Sequence, residues 1–180
     1  MALSLTISDL VHQVSSLRAG DDLLLSGTLF TARDAAHKRL APLVNDKQPL
    51  PFDLANAVIY YCGPAPARPG DAVGPCGPTT SARMDPYTPL LLSRGVKATI
   101  GKGKRSPSIT EACRTWKAVY CVATGGIAAL LSRKVTRSEI VAFADLGPEA
   151  IWRLEVVDFP VIVAVDSLGN DIFRASEAKP

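Results

Sequence analysis

The order of hydrophobic patterns along the chain changes near residue 135, and this change constrains the fold more than any other feature of the sequence. Before it, helical patterns alternate with four short apolar runs, at residues 23–30, 57–61, 96–100 and 119–123. After it, three β-rich runs follow one another, at residues 140–145, 151–157 and 161–165. Alternating strands and helices favour a parallel sheet, whereas consecutive strands favour an antiparallel one. The sequence therefore predicts an α/β fold with a mainly parallel sheet, helices, and a smaller, antiparallel second β layer.

Hydroxyl-bearing and acidic residues mark the predicted beginnings of two helices. Thr31–Asp34 (TARD) resembles a capping box with Asp in place of Glu, and it predicts a helix that runs through about Val44. Ser108–Glu111 (SITE) is a capping box, which predicts a second helix that ends near Lys117.

Proline and glycine interrupt the pattern in the middle of the chain. Residues 63–78 contain so many of both that we expect neither a helix nor a central strand there. An irregular helix should follow, from Thr79–Ser81, whose hydroxyls are natural N-caps, to about Arg94. A short helix is expected over residues 127–132, and Pro160 separates the last two β-rich runs.

Length and composition indicate one globular domain over residues 1–180. A hydrophobic content of 47% and a charged content of 21% exclude general disorder, and a net charge of +3 is too small to indicate a nucleic-acid partner. No apolar run reaches the length of a membrane span, and the N-terminal segment lacks the basic start of a signal peptide, so we expect a cytoplasmic protein. Without metal-ligand spacing, the cysteines are expected to be reduced thiols: Cys62, Cys76, Cys113 and Cys121.

Cations and hydroxyls follow three of the predicted strands, each just before a helix. They are Arg33 in TARD, Thr79, Thr80 and Arg83 in GPTTSAR, and Lys102 with Lys104 in GKGKRS. In an open α/β sheet, the crevice beyond the carboxyl ends of the strands is the usual ligand site. Helix N-termini and guanidinium groups both favour carboxylates there. The sequence therefore predicts a site for a small dianion at this edge.

Each of these residues has a simpler explanation when it is considered alone. Arg33 and Arg83 could pair with nearby acids such as Asp34 and Asp85, and the threonines could do no more than cap a helix. The GKGKR loop could be a solvated basic turn, and it lacks the spacing of a phosphate-binding P-loop. Basic residues are not interleaved with aromatic ones, which argues against nucleic-acid binding. His37 lies on an Ala-rich helical segment, and a structural role is expected for it rather than that of a base.

Several motifs occur together and in order, and their combination is distinctive. They are TARDAAHKR (31–39), PLPFDL (49–54), YYCGPAPARPG (60–70), GPTTSARMDPYTP (77–89), IGKGKRS (100–106), GGIAALL (125–131) and the stretch from 149 to 173. Together they resemble the β subunit, or the C-terminal domain, of class I iron–sulfur fumarases and L-tartrate dehydratases. The resemblance covers roughly residues 25–175.

This resemblance implies a fold, a reaction and a partner. The family fold is a swivelling β/β/α domain, with a mainly parallel sheet, helices on one face and a second small β layer. Family members are hydro-lyases that use a 4Fe–4S cluster, and the cluster belongs to the α subunit. The resemblance therefore implies that this chain binds no cofactor itself and that it acts only with a fumarase-type α subunit. Charge, aromatic content and the absence of a long apolar run add the expectation of no nucleic-acid or membrane partner. The resemblance leaves open whether the isolated chain forms a homodimer.

The resemblance also assigns roles to individual positions. Arg33, Arg83 and Lys102 would bind the carboxylates of the substrate. Thr79 matches the threonine proposed as the base that removes the carbon-bound proton, and Thr80 would hold a carboxylate or a hydroxyl beside it. A hydroxyl is a weak base near neutral pH, so Thr79 would need nearby cations or would pass the proton on. Lys104 departs from the family, in which this position is often a neutral Asn.

Three functions remain open at this point. The first is the β subunit of a fumarate hydratase, which converts fumarate and water to L-malate. The second is the β subunit of an L-tartrate dehydratase, which forms oxaloacetate, and a methylated fumarate is a further candidate substrate. The third is a non-catalytic module that binds a dicarboxylate, although such a module has no evident use for the threonine pair.

Overall fold

A single sheet of seven strands is the framework of this chain, in a computed structural model that describes residues 2–123 and 128–177. The strands are β1 (Leu3–Thr6), β2 (Asp22–Thr31), β3 (Val58–Tyr60), β4 (Ala98–Gly101), β5 (Val119–Val122), β6 (Val135–Ala142) and β7 (Ile151–Val165). The helices are α1 (Ile7–Gln13), α2 (Asp34–Asn45), α3 (Thr88–Ser93), α4 (Pro107–Trp116), α5 (Ala128–Ser132) and α6 (Ile172–Glu177). Short 3₁₀ turns lie at Ser81–Met84 and Ala144–Glu149.

The sheet closes into a ring, because β7 pairs with β5 on one side and with β2 on the other. The strand order is β1-β2-β3-β4-β5-β7-β6, and β7 also pairs with β2, so that β2, β3, β4, β5 and β7 form a barrel-like ring. The neighbours from β1 to β5 are parallel, and β7 is antiparallel to β2, β5 and β6. The α/β class is therefore confirmed, whereas the expected sheet is confirmed only in part. The late strands continue the parallel sheet and close it, where a separate second layer was expected.

Strand β7 runs through Pro160, which was expected to separate two strands. On one edge, β2 pairs with β7 from Arg153 to Ile162. On the other edge, β6 pairs with residues 151–156 and β5 with residues 162–165. Pro160 thus falls between two partner strands, where a residue without an N–H group leaves no ladder bond unmade.

Both faces of the central strands are buried, which explains their continuous apolar runs. All five ring strands send alternate side chains to one cluster inside the ring, among them Leu25, Tyr60, Ile100, Cys121 and Val161. The opposite face is covered by α2, α3 and α4, and this second cluster includes Ile59, Tyr61, Tyr120, Leu40, Leu91 and Ile109. Each fully buried large side chain stabilises the fold by roughly 1.5–3 kcal/mol relative to exposure. The ring and its helical cover together fix where the strand ends lie.

Both predicted capping boxes are wrong, although the two helices are confirmed. Thr31 is the last residue of β2, and its buried hydroxyl accepts a hydrogen bond from the Trp152 N–H at 3.1 Å. Helix α2 begins at Asp34 after Arg33, and α4 begins at Pro107, a residue favoured in the first turn of a helix. A reciprocal capping box is present instead at the start of α1, between Thr6 and Asp9.

The remaining local predictions agree with the structure in part. The strand expected at residues 140–145 begins and ends earlier, as β6 (Val135–Ala142), and Ala144 and Asp145 belong to the 3₁₀ turn that follows it. Residues 63–78 contain neither helix nor strand. The irregular helix from residue 79 to 94 is a 3₁₀ turn followed by α3. Helix α5 covers residues 128–132 of the helix expected from residue 127, and the preceding Gly125–Gly126 pair lies outside the described residues.

Candidate active site at the carboxyl ends of the parallel strands

The segments that carry the predicted site residues leave the same edge of the sheet. Arg33 follows β2, the Thr79–Arg83 segment follows the loop after β3, and Lys102 follows β4. Because β2, β3 and β4 are parallel neighbours, their carboxyl ends lie side by side. All five predicted residues are therefore brought to one edge: Arg33, Thr79, Thr80, Arg83 and Lys102. Their individual roles stay predictions.

Backbone hydrogen bonds hold the threonine pair between two strand ends. The Thr79 N–H donates to the Tyr61 carbonyl at 2.7 Å, and the Lys102 N–H donates to the Thr79 carbonyl at 3.2 Å. Thr80 and Lys102 form a parallel β-bridge, and the Ser81 N–H donates to the Lys102 carbonyl at 3.0 Å. Residues 79–81 thus extend the sheet by one short segment. Neither threonine side chain caps the 3₁₀ turn, so the capping explanation does not account for them.

The two arginines are joined through acidic side chains. Arg83 Nε donates to Asp34 Oδ1 at 2.9 Å, and Arg33 lies 3.3 Å from Glu149 and 4.0 Å from Asp34. The simpler explanation, in which these arginines pair with nearby acids, is therefore correct for Asp34. Arg83 keeps about half of its side chain exposed, whereas Arg33 is largely covered and its Nε has no hydrogen-bond partner among the described residues. A guanidinium has five N–H donors, so both groups retain donors for an anion.

A buried histidine and a glycine fix the position of Arg33. Gly63 packs so closely against Arg33 that a Cβ there would lie 3.0 Å from the arginine side chain. His37 is fully buried on α2, and its Nδ1 lies 2.8 Å from the Arg33 carbonyl oxygen. Burial lowers the pKa of His37 to about 4, so the ring is neutral and donates this hydrogen bond. The structural role expected for His37 agrees with this contact.

A buried polar network beneath the edge was missed by the sequence analysis. It links Arg105 with Asp85, Thr88, Thr99, Tyr61 and Tyr120. Arg105 was counted with the basic residues of the GKGKR loop, yet it is 6% exposed. Asp85, expected as a partner of the surface arginines, pairs with Arg105 at 2.6 Å. The sequence signal for this network is the presence of Tyr61 and Tyr120 in two of the apolar runs, since a buried tyrosine hydroxyl needs a hydrogen-bond partner.

The described part of the chain holds no cluster of metal ligands. Within residues 2–123 and 128–177, no three His, Cys, Asp or Glu side chains are grouped so that they could hold a metal ion. The four cysteines are buried free thiols, and burial raises the pKa of Cys113 and of Cys121 to about 12. Protonated thiols that are not grouped at one site do not fit a 4Fe–4S cluster, which is held by several cysteine thiolates together. No described helix is long and apolar enough to cross a membrane.

Comparisons with known proteins agree with the motifs. A model of the fumarase C-terminus family matches residues 1–176. Fumarate hydratase 2 of Leishmania major is 40% identical over 169 residues, which are 93% of this chain and 30% of that enzyme. The anaerobic class I fumarate hydratase of Escherichia coli strain K12 is 39% identical over 174 residues, which are 96% of this chain and 32% of that enzyme.

A shorter relative is matched along most of its length. The L(+)-tartrate dehydratase subunit beta of Escherichia coli strain K12 is 36% identical over 171 residues, which are 92% of this chain and 84% of that subunit. The chain thus spans about a third of the fumarate hydratases that it matches. Since the family model covers nearly every residue, the chain belongs to the fumarase C-terminus family.

Proposed function

We propose that this chain is the β subunit of a hydro-lyase acting on a four-carbon dicarboxylate, with fumarate as the first candidate. The observation that carries the proposal is the gathering of three cations and two threonine hydroxyls at one edge, in a member of this family. A second dicarboxylate, tartrate, is favoured by the relative that is matched along 84% of its length, which is a tartrate dehydratase β subunit.

The cations suit a substrate with two carboxylates. Arg33 and Arg83 lie on either side of Asp34, and Lys102 is exposed and makes no side-chain hydrogen bond or ion pair with another described residue. Removal of a proton from the carbon beside a carboxylate builds further negative charge on that group. Fixed cations stabilise this charge more in the transition state than in the ground state, and so they accelerate the reaction.

Thr79 is the residue that we assign to the proton step. Its backbone is held on both sides by Tyr61 and Lys102, which places the side chain at the edge. That hydroxyl makes no hydrogen bond within the described part of the chain, and it remains available to a substrate. The neighbouring Lys102 would favour the proton-accepting form of Thr79, and Thr80 would hold the substrate hydroxyl or carboxylate.

A partner protein completes the proposed site. The edge is open, since Thr80, Arg83 and Lys102 are exposed. The described residues offer no site for a 4Fe–4S cluster, and we assign the cluster to a fumarase-type α subunit. The cluster would supply Lewis-acid chemistry from that subunit. Everything that this chain does is then binding, orientation and proton transfer.

The test is an anaerobic assay of the chain with its iron–sulfur α subunit, co-expressed from the same organism. Fumarate, L-tartrate and methylfumarate are compared, and we expect turnover only in the assembled enzyme. Thr79→Ala should lower kcat on the order of 100-fold or more. The matched control is Thr136→Ala, because Thr136 is an exposed threonine on β6 whose hydroxyl bonds the Glu155 carbonyl.

Three results would each contradict a part of the proposal. Thr79→Ala with a normal rate removes Thr79 from the mechanism. Absence of turnover with all three substrates, while the α subunit is active with another β chain, would favour the non-catalytic dicarboxylate-binding module. A stoichiometric iron–sulfur chromophore on the isolated chain would overturn the assignment of the cluster to the partner.

A further inference from the structure

A buried ion pair joins the two segments that carry Thr79 and Lys102. The Arg105 side chain has no exposed surface, and its Nε donates to Asp85 Oδ1 at 2.6 Å. The other oxygen of Asp85 accepts a hydrogen bond from the Ser106 N–H at 2.8 Å. Asp85 directly follows the 3₁₀ turn at Ser81–Met84, and Arg105 lies in the loop after β4. One carboxylate therefore connects the two segments.

The Thr88 hydroxyl provides a second connection between these segments, and its one proton and two lone pairs are all used in hydrogen bonds. Its hydroxyl donates its single proton to the Met84 carbonyl at 2.9 Å. Both of its lone pairs are then free to accept from the Arg105 guanidinium at 2.8 Å and from the Tyr61 hydroxyl at 2.9 Å. The start of α3, the loop after β4 and the end of β3 thus meet at one oxygen atom.

Two tyrosine rings complete the enclosure of the guanidinium. Arg105 Cζ lies 4.8 Å from the centre of the Tyr120 ring and 5.3 Å from that of Tyr61, within the range of cation–π attraction. The Tyr120 hydroxyl lies 2.9 Å from Ser81 Oγ and 2.8 Å from the Gly103 carbonyl oxygen. Tyr120 therefore contacts both segments as well, one through Ser81 and the other through Gly103.

A buried charge of this kind is weak evidence for stability, because apolar side chains of similar volume fill such a space equally well or better. What a guanidinium adds is a rigid planar set of donors that fixes the relative position of its partners. We propose that Arg105 is a positioning residue, which sets the segment of Thr79–Arg83 against the loop of Lys102. The effect on turnover rests on the function proposed above, whereas the effect on the two segments does not.

The test uses amide hydrogen exchange, measured by NMR on the whole chain. The reporters are the amides of Ser81 and Lys102, since each donates to the facing segment. The reference amides are those of Val157 and Val163, which make backbone hydrogen bonds in β7 away from this network. Arg105→Lys keeps the charge and removes the planar donors, so exchange at both reporters should rise at least about tenfold while the reference amides stay unchanged.

The matched control is Arg114→Lys on α4, because Arg114 is exposed and pairs with Glu111 in its own helix. In Arg114→Lys, the amides of Ser81 and Lys102 should exchange at the same rates as in the unmodified chain. If Arg105→Lys does not fold, Tyr120→Phe removes the hydroxyl that contacts both segments and leaves the ring in place. Unchanged reporter exchange in whichever variant folds would overturn the proposal. So would an equal rise at reporter and reference amides, because this pattern is that of general destabilisation.

Activity of the assembled enzyme gives an independent readout. A displacement of the site by about 1 Å typically costs on the order of 100-fold in rate, so kcat/KM of Arg105→Lys should fall by that order and Arg114→Lys should not change. If the unmodified assembly has no hydro-lyase activity, the proposed function fails and the exchange result still decides the role of Arg105. Local loosening with unchanged kcat/KM would show that Arg105 holds the segments without positioning the reacting groups.

Discussion

His37 should make the stability of the folded chain depend on pH between 7.5 and 5. Its ring is fully buried, with centroids 5.5 Å from the Tyr61 ring and 5.8 Å from the Tyr87 ring. Burial lowers the pKa of His37 to about 4, the nearby Arg105 lowers it further, and the Arg33 carbonyl and Asp34 oppose the shift. The Nε2 atom has no hydrogen-bond partner within the described part of the chain. Protonation would therefore place an unpaired charge in the core.

The direction and size of the effect follow from proton linkage. An unfolded histidine has a pKa of about 6.5, so between pH 6.5 and 4 the unfolded state binds a proton that the folded state excludes. Stability is fully present above this window, and it falls as the pH decreases through it. With a folded pKa of about 4, the free energy of unfolding should drop by about 2 kcal/mol from pH 7.5 to 5, and by about 3 kcal/mol below pH 4.

The assay is urea unfolding at pH 7.5 and pH 5, with the free energy of unfolding extrapolated to water. His37→Gln removes the titrating group and keeps an amide that can donate to the Arg33 carbonyl. We expect this variant to lose about 2 kcal/mol less than the unmodified chain over this pH interval. The control is His12→Gln, because His12 is the other of the two histidines and is exposed on α1. Equal losses in the unmodified chain and in His37→Gln would refute the reasoning.

Three further predictions concern the same region. Asp85→Ala leaves Arg105 buried without a counter-charge and should lower the free energy of unfolding by about 3–5 kcal/mol in urea; a loss below about 1 kcal/mol would contradict this. Gly101→Ala places a methyl group against Ser81 Oγ and should cost roughly 1–3 kcal/mol in thermal unfolding; an unchanged melting temperature would contradict this. Iodoacetamide should label the four buried thiols, those of Cys62, Cys76, Cys113 and Cys121, only after the chain is unfolded. Labelling of any of them in the native chain, detected by mass spectrometry, would contradict this.

Local patterns predicted strands β2 to β5 well, and the late strands β6 and β7 less well. The apolar runs of β2 to β5 stand out because both of their faces are buried, and the cations at their carboxyl ends follow from the strand–helix alternation. The closure of the ring could not be predicted in this way. It depends on pairing between β2 and β7, in which Thr28 and Glu155 are 127 positions apart, and no short segment encodes such a contact.

Exposure was the second property that the sequence did not reveal. The basic loop GKGKR was interpreted as one unit, yet Lys102 is exposed and Arg105 is buried. The difference arises from the facing side chains of Asp85, Tyr61 and Tyr120, which belong to three other segments. The capping box predicted at Thr31–Asp34 failed for a similar reason, because the Thr31 hydroxyl bonds to β7 in place of its own helix.

The double pairing of β7 also sets the order in which the molecule can be assembled during synthesis. The parallel strands β2 to β5 leave the ribosome first, with the edge of β2 that faces β7 still unpaired. At roughly 5–20 residues per second, the residues between Thr28 and Glu155 require on the order of 6–25 s of translation. Throughout that time the incomplete sheet exposes a strand edge of the kind that promotes aggregation. Native structure therefore arises late, and chaperone binding to the nascent chain should end when β7 emerges.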